Sequence, residues 1–159
     1  MALKSSGTAV VKALNGLLTT ELRAINQYFL DSKLAAHHGY EHLAEEFRKA
    51  SFEEMNDAEE LMDRILLLGG LPNLQRVDPF ATGESITEQF QLALELETKA
   101  VAQLKAAIIT ADKAGDPGTA TMLRAMLLEE EEQVDWIEGQ LGLIQTLGET
   151  AYLAQQIRS

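Results

Sequence analysis

The chain has 159 residues, 46% of them hydrophobic, with three prolines, no cysteine and a formal net charge of −12. That length suffices for one domain with its own core, and few prolines and aromatics suit a helical bundle better than a β-sandwich. Without cysteine, disulfides, thiolate nucleophiles, iron–sulfur clusters and zinc fingers are excluded, and the acidity argues against nucleic acid, whose phosphates it would repel.

Metal chemistry, if present, must use carboxylate, imidazole, amide or thioether donors, and carboxylates favour hard cations. The first residues contain no uninterrupted apolar stretch, because Lys12 and Asn15 break it. No run reaches the length of a membrane span. A soluble, cytoplasmic protein without membrane partners is the expectation.

The first helix is predicted over residues 8–37, where Val11, Leu14, Leu18, Glu21, Ile25 and Tyr28 alternate by three and four along one seam. Gly39 stops it. A second helix follows over 40–68, with Leu43, Phe47, Glu54, Asp57, Leu61 and Ile65 in register. Gly69-Gly70 ends it and Pro72 prevents re-entry.

Residues 69–84 are rich in Gly, Pro, Asn and Asp and read as irregular. This connection is longer than an antiparallel pair needs, so it is predicted to cross the bundle and leave the second and third helices parallel. Ser85 and Glu88 form a capping box for a third helix running to residue 113. Residues 115–118 turn the chain into a fourth helix that reaches 147, and Gly148 separates a short last helix over 149–157. The fold class is all-α: a four-helix bundle in one domain, 1–159, with one long crossover and a short fifth helix.

Glu21, Glu54, Glu95 and Glu130 fall in apolar seams, one on each long helix. A glutamate there is costly unless it is paired, protonated or bound to a cation. One such residue is more often a paired structural group than a ligand; four at matching heights favour a shared metal site. Glu54 and Asp57, three apart, can share a face, as can Glu130 and Gln133. Six oxygen-bearing side chains from four helices suit two divalent cations bridged by carboxylates. Tyr28, two turns beyond Glu21, is placed to orient the cluster by a hydrogen bond.

Di-iron bundles take one Glu from each of two helices and Glu-x-x-His from each of the other two. Here the corresponding segments are Glu54-Met-Asn-Asp57 and Glu130-Glu-Glu-Gln133, so both histidines are replaced. His37, His38 and His42 cluster near the first turn instead and read as surface groups.

The segments ELRAINQYFL (21–30), RILLLGGLPNLQ (64–75), LALELE (92–97), VDWIE (134–138) and YLAQQIR (152–158) resemble the bacterioferritins across essentially the whole chain. The resemblance implies a ferritin-like bundle assembled into a hollow 24-mer cage of identical or similar subunits that stores a ferric mineral core. It implies haem b between subunit pairs, Fe(II) and O2 as reactants, and an electron-donating ferredoxin as partner. The short last helix would line channels at a symmetry axis. The di-iron ligand positions fall on Glu21, Glu54, Asp57, Glu95, Glu130 and Gln133. The haem-ligating methionine position falls on Met55, with Leu22, Ile25, Asn26, Phe29 and Phe52 as its pocket. An inner-wall position, usually an iron-binding His, matches Lys49.

Three readings follow. In the first, the chain is a haem-bearing storage subunit with a degraded ferroxidase centre, working in mixed cages with a competent second bacterioferritin subunit. Asp has a shorter reach than His, and Gln offers only a weak neutral carbonyl. In the second, the ferroxidase is fully active, with Asp57 as a ligand and a shifted Glu131 or water at Gln133. In the third, the bundle is structural and metal-free.

Overall fold

The computed structural model describes residues 5–158, with side chains from residue 8 onward. Five helices follow in order: α1 (Ser5–His37), α2 (Glu41–Leu67), α3 (Ile86–Lys113), α4 (Pro117–Leu147) and α5 (Glu149–Ala154). The expected architecture is present, with α1 starting three residues earlier than predicted and α5 ending three earlier.

The first three helices stop the same way, for a local reason. At the end of α2, Gly69 N–H donates to the Leu66 carbonyl at 3.0 Å and Gly70 N–H to that of Ile65 at 2.9 Å. This closure needs the left-handed conformation that Gly69 adopts, with φ 82°. Its neighbour is glycine for space: a Cβ on Gly70 would lie 2.7 Å from a Val11 methyl.

The N-termini of α3 and α4 are capped by side chains. Ser85 Oγ accepts the Glu88 N–H at 3.1 Å, and Asp116 Oδ1 accepts that of Thr119 at 3.1 Å. The other half of the predicted capping box is displaced by one residue, since Glu88 Oε2 takes the N–H of Glu84. Arg64 ties the end of α2 to the cap of α4, donating to Asp116 at 2.9 Å and to Thr119 at 2.8 Å.

Helix α1 packs against α2 and α3, α3 against α4, and α5 against α4. Thr20 bonds Gln103, whereas Tyr28 bonds Glu97, so residue numbers rise on α1 as they fall on α3. The two are antiparallel; α1 and α2 form a hairpin, so α2 and α3 run parallel. The crossover between them is held to α1 by Asn15, which donates to the Leu71 carbonyl and accepts the Asn73 N–H.

The apolar core is in two parts. One gathers Leu14, Leu18, Leu61, Ile65, Leu104 and Leu123. The other gathers Phe47, Phe90, Leu96, Ile137, Ile144 and Tyr152, and α5 docks on it through Tyr152. Between them lies a layer of buried acidic side chains: Glu21, Glu54, Asp57, Glu97 and Glu130. None of the described helices is long and apolar enough to cross a membrane.

Candidate metal centre

Each acidic side chain of this layer reaches the interior because its helix places apolar residues three, four or seven positions away on the same face. Leu14 and Leu18 precede Glu21 and Tyr28 follows it; Phe47 precedes Glu54 and Leu61 follows Asp57; Met126 precedes Glu130 and Ile137 follows it. Glu21, Glu54, Asp57 and Glu130 each present an oxygen, and these four atoms lie within 4.8 Å of one another. Glu21 Oε2, Glu54 Oε2 and Glu130 Oε2 are buried without a hydrogen-bond partner.

Such crowding is electrostatically unfavourable for the ionised forms. Burial raises the Glu21 carboxyl well above the usual carboxylate range, with Glu130, Glu97 and Asp57 adding repulsion. Burial likewise raises Glu54, next to Glu21 and Glu97. Glu130 is raised by burial and by its hydrogen-bonded neighbour Glu97. Asp57 is pushed up to about 7 by burial, then by Glu129 and Glu60. The ion pairs among the described residues lie elsewhere, so protons or a cation must offset this charge.

The seam residue expected on α3 is corrected by the structure: Glu95 is exposed, and Glu97 is the buried carboxylate of α3. The buried positions of α3 run Phe90, Ala93, Leu96 with Glu97, Ala100, Leu104 and Ala107. Glu97 is four after Ala93 and three before Ala100, whereas Glu95 is turned about 200° away from Glu97 at ~100° per residue. The segment 92–97 offers two glutamates two apart, and only the apolar phase of the helix separates them. That phase was the available signal.

Asp57 and Gln133 both point inward. Asp57 joins the convergent four. Gln133 Nε2 donates to Tyr28 Oη at 3.2 Å, and Tyr28 Oη donates to Glu97 Oε1 at 2.8 Å. Tyr28 is 1% exposed, and burial together with the charge of Glu97 raises its phenol well above the usual value. Tyr28 thus has Glu97 of the acidic layer as its hydrogen-bond partner.

A cavity of about 560 Å³ leads to Glu54, Asp57, Glu130 and Gln133 from a rim that includes Glu53, Glu60, Glu129 and Glu132. Lys49 lies on that rim, 3.9 Å from Glu53. Glu131, the expected reserve ligand, lines a different groove with Thr98, Val101 and Asp135 and is exposed. It is therefore unable to substitute at Gln133 without turning α4.

On the outer side of the α1–α2 hairpin, Met55 is 41% exposed, Phe29 52% and Phe52 51%. Leu22 and Ile25 are half-buried and Asn26 is exposed on the same stretch of α1. Ser51 Oγ donates to the Ile25 carbonyl at 2.8 Å, tying α2 to α1 here, and the Arg48 guanidinium lies 5.1 Å above the Phe52 ring.

The sequence pattern of a Ferritin-like domain matches residues 11–147. A Bacterioferritin of Streptomyces coelicolor is 47% identical over 148 residues, covering 93% of this chain and 89% of its own. One from Mycobacterium leprae is 45% identical over 146 residues, 92% of both chains. One from Brucella melitensis is 38% identical over 143 residues, 90% of this chain and 89% of its own.

Proposed function

The chain belongs to the bacterioferritin family of ferritin-like proteins, and on that premise we propose that it is an iron-storing cage subunit with a weakened ferroxidase centre. Fe(II) is the substrate of the acidic layer. The observation that carries this reading is the meeting of Glu21, Glu54, Asp57 and Glu130 within 4.8 Å, with three oxygens left unpartnered. Burial and mutual repulsion favour the protonated form of these carboxyls, and a bound cation favours release of the protons.

The donor set fits a hard divalent cation and lacks the imidazoles that suit iron. Asp57 supplies an oxygen at one histidine position; at the other, Gln133 has its amide nitrogen engaged by Tyr28. Oxidation, in which each Fe(II) gives one electron to O2, then falls mainly to a histidine-bearing partner subunit in a mixed cage. The carboxylate-rimmed cavity beside Glu53, Glu60, Glu129 and Glu132 is the route for cations between the layer and the mineral store.

Haem b is the second group that the family implies, and the residues present fit it. An exposed thioether flanked by two half-exposed phenyl rings is poorly satisfied by water alone. Met55 would hold the haem iron, with Phe29, Phe52, Leu22 and Ile25 as apolar walls and Asn26 at the edge. The haem supplies one-electron chemistry when bound, with a ferredoxin as electron donor.

Full ferroxidase activity is the second reading, favoured by the one observation that Asp57 does join the convergent set. Stopped-flow oxidation separates the two. The homo-assembled protein is loaded anaerobically with two Fe(II) per chain and mixed with oxygen. A slow rate that fails to saturate, no faster than Glu54→Ala, is expected. A fast phase saturating at two irons and abolished by Glu54→Ala would establish the second reading instead.

A further inference from the structure

Gln133 stands where a nitrogen ligand is implied, yet its own nitrogen is used elsewhere. The directions of the two hydrogen bonds around Tyr28 follow from donor chemistry. A phenol has one proton, and that of Tyr28 is donated to Glu97 Oε1 at 2.8 Å. The phenol oxygen must then accept from Gln133, which the amide nitrogen can satisfy and its carbonyl cannot. Three side chains on α4, α1 and α3 form a chain of fixed direction that ends on Glu97.

Glu97 is also the one buried carboxylate of the layer that stands outside the four converging within 4.8 Å. Its Oε1 is taken by Tyr28. Losing the Gln133 donor would leave the Tyr28 oxygen, buried inside the bundle, without its hydrogen bond. It would also free the phenol to turn away from Glu97.

We propose that Gln133 is a positioning residue of the metal centre that acts through Tyr28: its N–H holds the phenol so that the phenol keeps donating to Glu97 Oε1, which decides the Glu97 oxygen available to a cation. This rests on the metal-centre reading above. In that arrangement the ligands are carboxylates alone, and residue 133 contributes by orientation.

Anaerobic Co(II) titration of the full-length assembled protein tests this, with affinity read by equilibrium dialysis and coordination by the visible absorption bands of Co(II). Wild type, Gln133→Leu, Tyr28→Phe and the double variant are compared. Each single change is expected to weaken the tightest Co(II) site about tenfold, the usual cost of losing a group that orients a ligand. The double variant should bind no more weakly than either single, because both remove one chain. The two single variants should share one altered band envelope at saturation.

Gln133→Met, which keeps the side-chain length without a donor, guards against misfolding of the leucine variant and should match it. Additive losses, or a Gln133→Leu spectrum unlike that of Tyr28→Phe, would overturn the proposal in favour of direct ligation by the Gln133 carbonyl. Unchanged affinity and spectrum in both Gln133 variants would overturn it as well. Absence of Co(II) binding by wild type would remove the metal-centre reading itself, and the relay with it.

Discussion

Glu95 and Glu97 stand two residues apart on α3 and face opposite ways: Glu97 is 1% exposed and accepts the Tyr28 phenol, while Glu95 lies in solvent. Replacing Glu97 by Gln should lower Co(II) binding about tenfold or more, since it removes a charge from the layer and disturbs Tyr28. Glu95→Gln should leave binding unchanged and alter stability by no more than ~0.5 kcal/mol, as for surface changes generally. Equilibrium dialysis with urea unfolding on both variants decides this. Equal losses from the two would contradict the assignment of Glu97.

If the acidic layer is a metal centre, metal-free protein should respond to divalent cations. The carboxyls of Glu21, Glu54 and Glu130 are raised by burial in the fold, so each stabilises least at high pH, where the fold would have to hold it ionised. A cation that binds only the folded form adds about 2.7 kcal/mol at a hundredfold excess over Kd. Thermal scans at pH 7 should show Mn(II) or Co(II) raising Tm, with proton release detectable by a pH indicator. Glu54→Ala should abolish both effects. A Tm indifferent to either ion would favour the metal-free structural bundle.

Asp31 provides a separate pH effect. It is 2% exposed, its Oδ2 is without a partner, and burial pushes its carboxyl up from 3.8 to about 7. In the unfolded chain the group ionises near 3.8, while the fold keeps the proton to about 7. Its contribution is therefore fully present below 3.8 and is lost as the pH rises towards about 7. Asp31→Asn is neutral throughout. It should stabilise the protein at pH 8 by on the order of 2–4 kcal/mol relative to its effect near pH 4. Urea unfolding across that range, with metal removed from both proteins, measures the difference; parallel curves would refute it.

The proposed haem site makes Met55 the ligand to test. Reconstitution of wild type with haem b should give a spectrum of thioether ligation. Met55→Leu keeps the apolar volume and removes the sulfur, so it should lose that spectrum with less than ~1.5 kcal/mol change in stability. Retention of the wild-type spectrum in Met55→Leu would show that another group holds the haem.

The helices, their stops and the crossover were legible in the sequence because their causes are local. Seam residues three and four apart, Ser85 at the start of α3, and Gly39, Gly69 and Gly115 past helix ends act within a few residues of themselves. The acidic layer was legible for the same reason on three helices, where Glu21, Glu54, Asp57 and Glu130 sit in phase with apolar neighbours. On α3 Glu95 was read into the seam, two residues from the buried Glu97, because the phase of that helix was not followed through Phe90, Ala93, Ala100 and Leu104.

The sequence alone therefore determined an all-α bundle with a charged layer inside and a family to which it belongs. Tertiary structure decided which oxygens meet, that Gln133 reaches Tyr28, and that Asp31 is buried without a partner for its Oδ2. Those facts depend on groups brought together from different helices: Tyr28 and Gln133 are 105 residues apart in the chain and 3.2 Å apart in the fold. Periodicity within one helix sets which way a side chain faces; the neighbouring helices set what it meets.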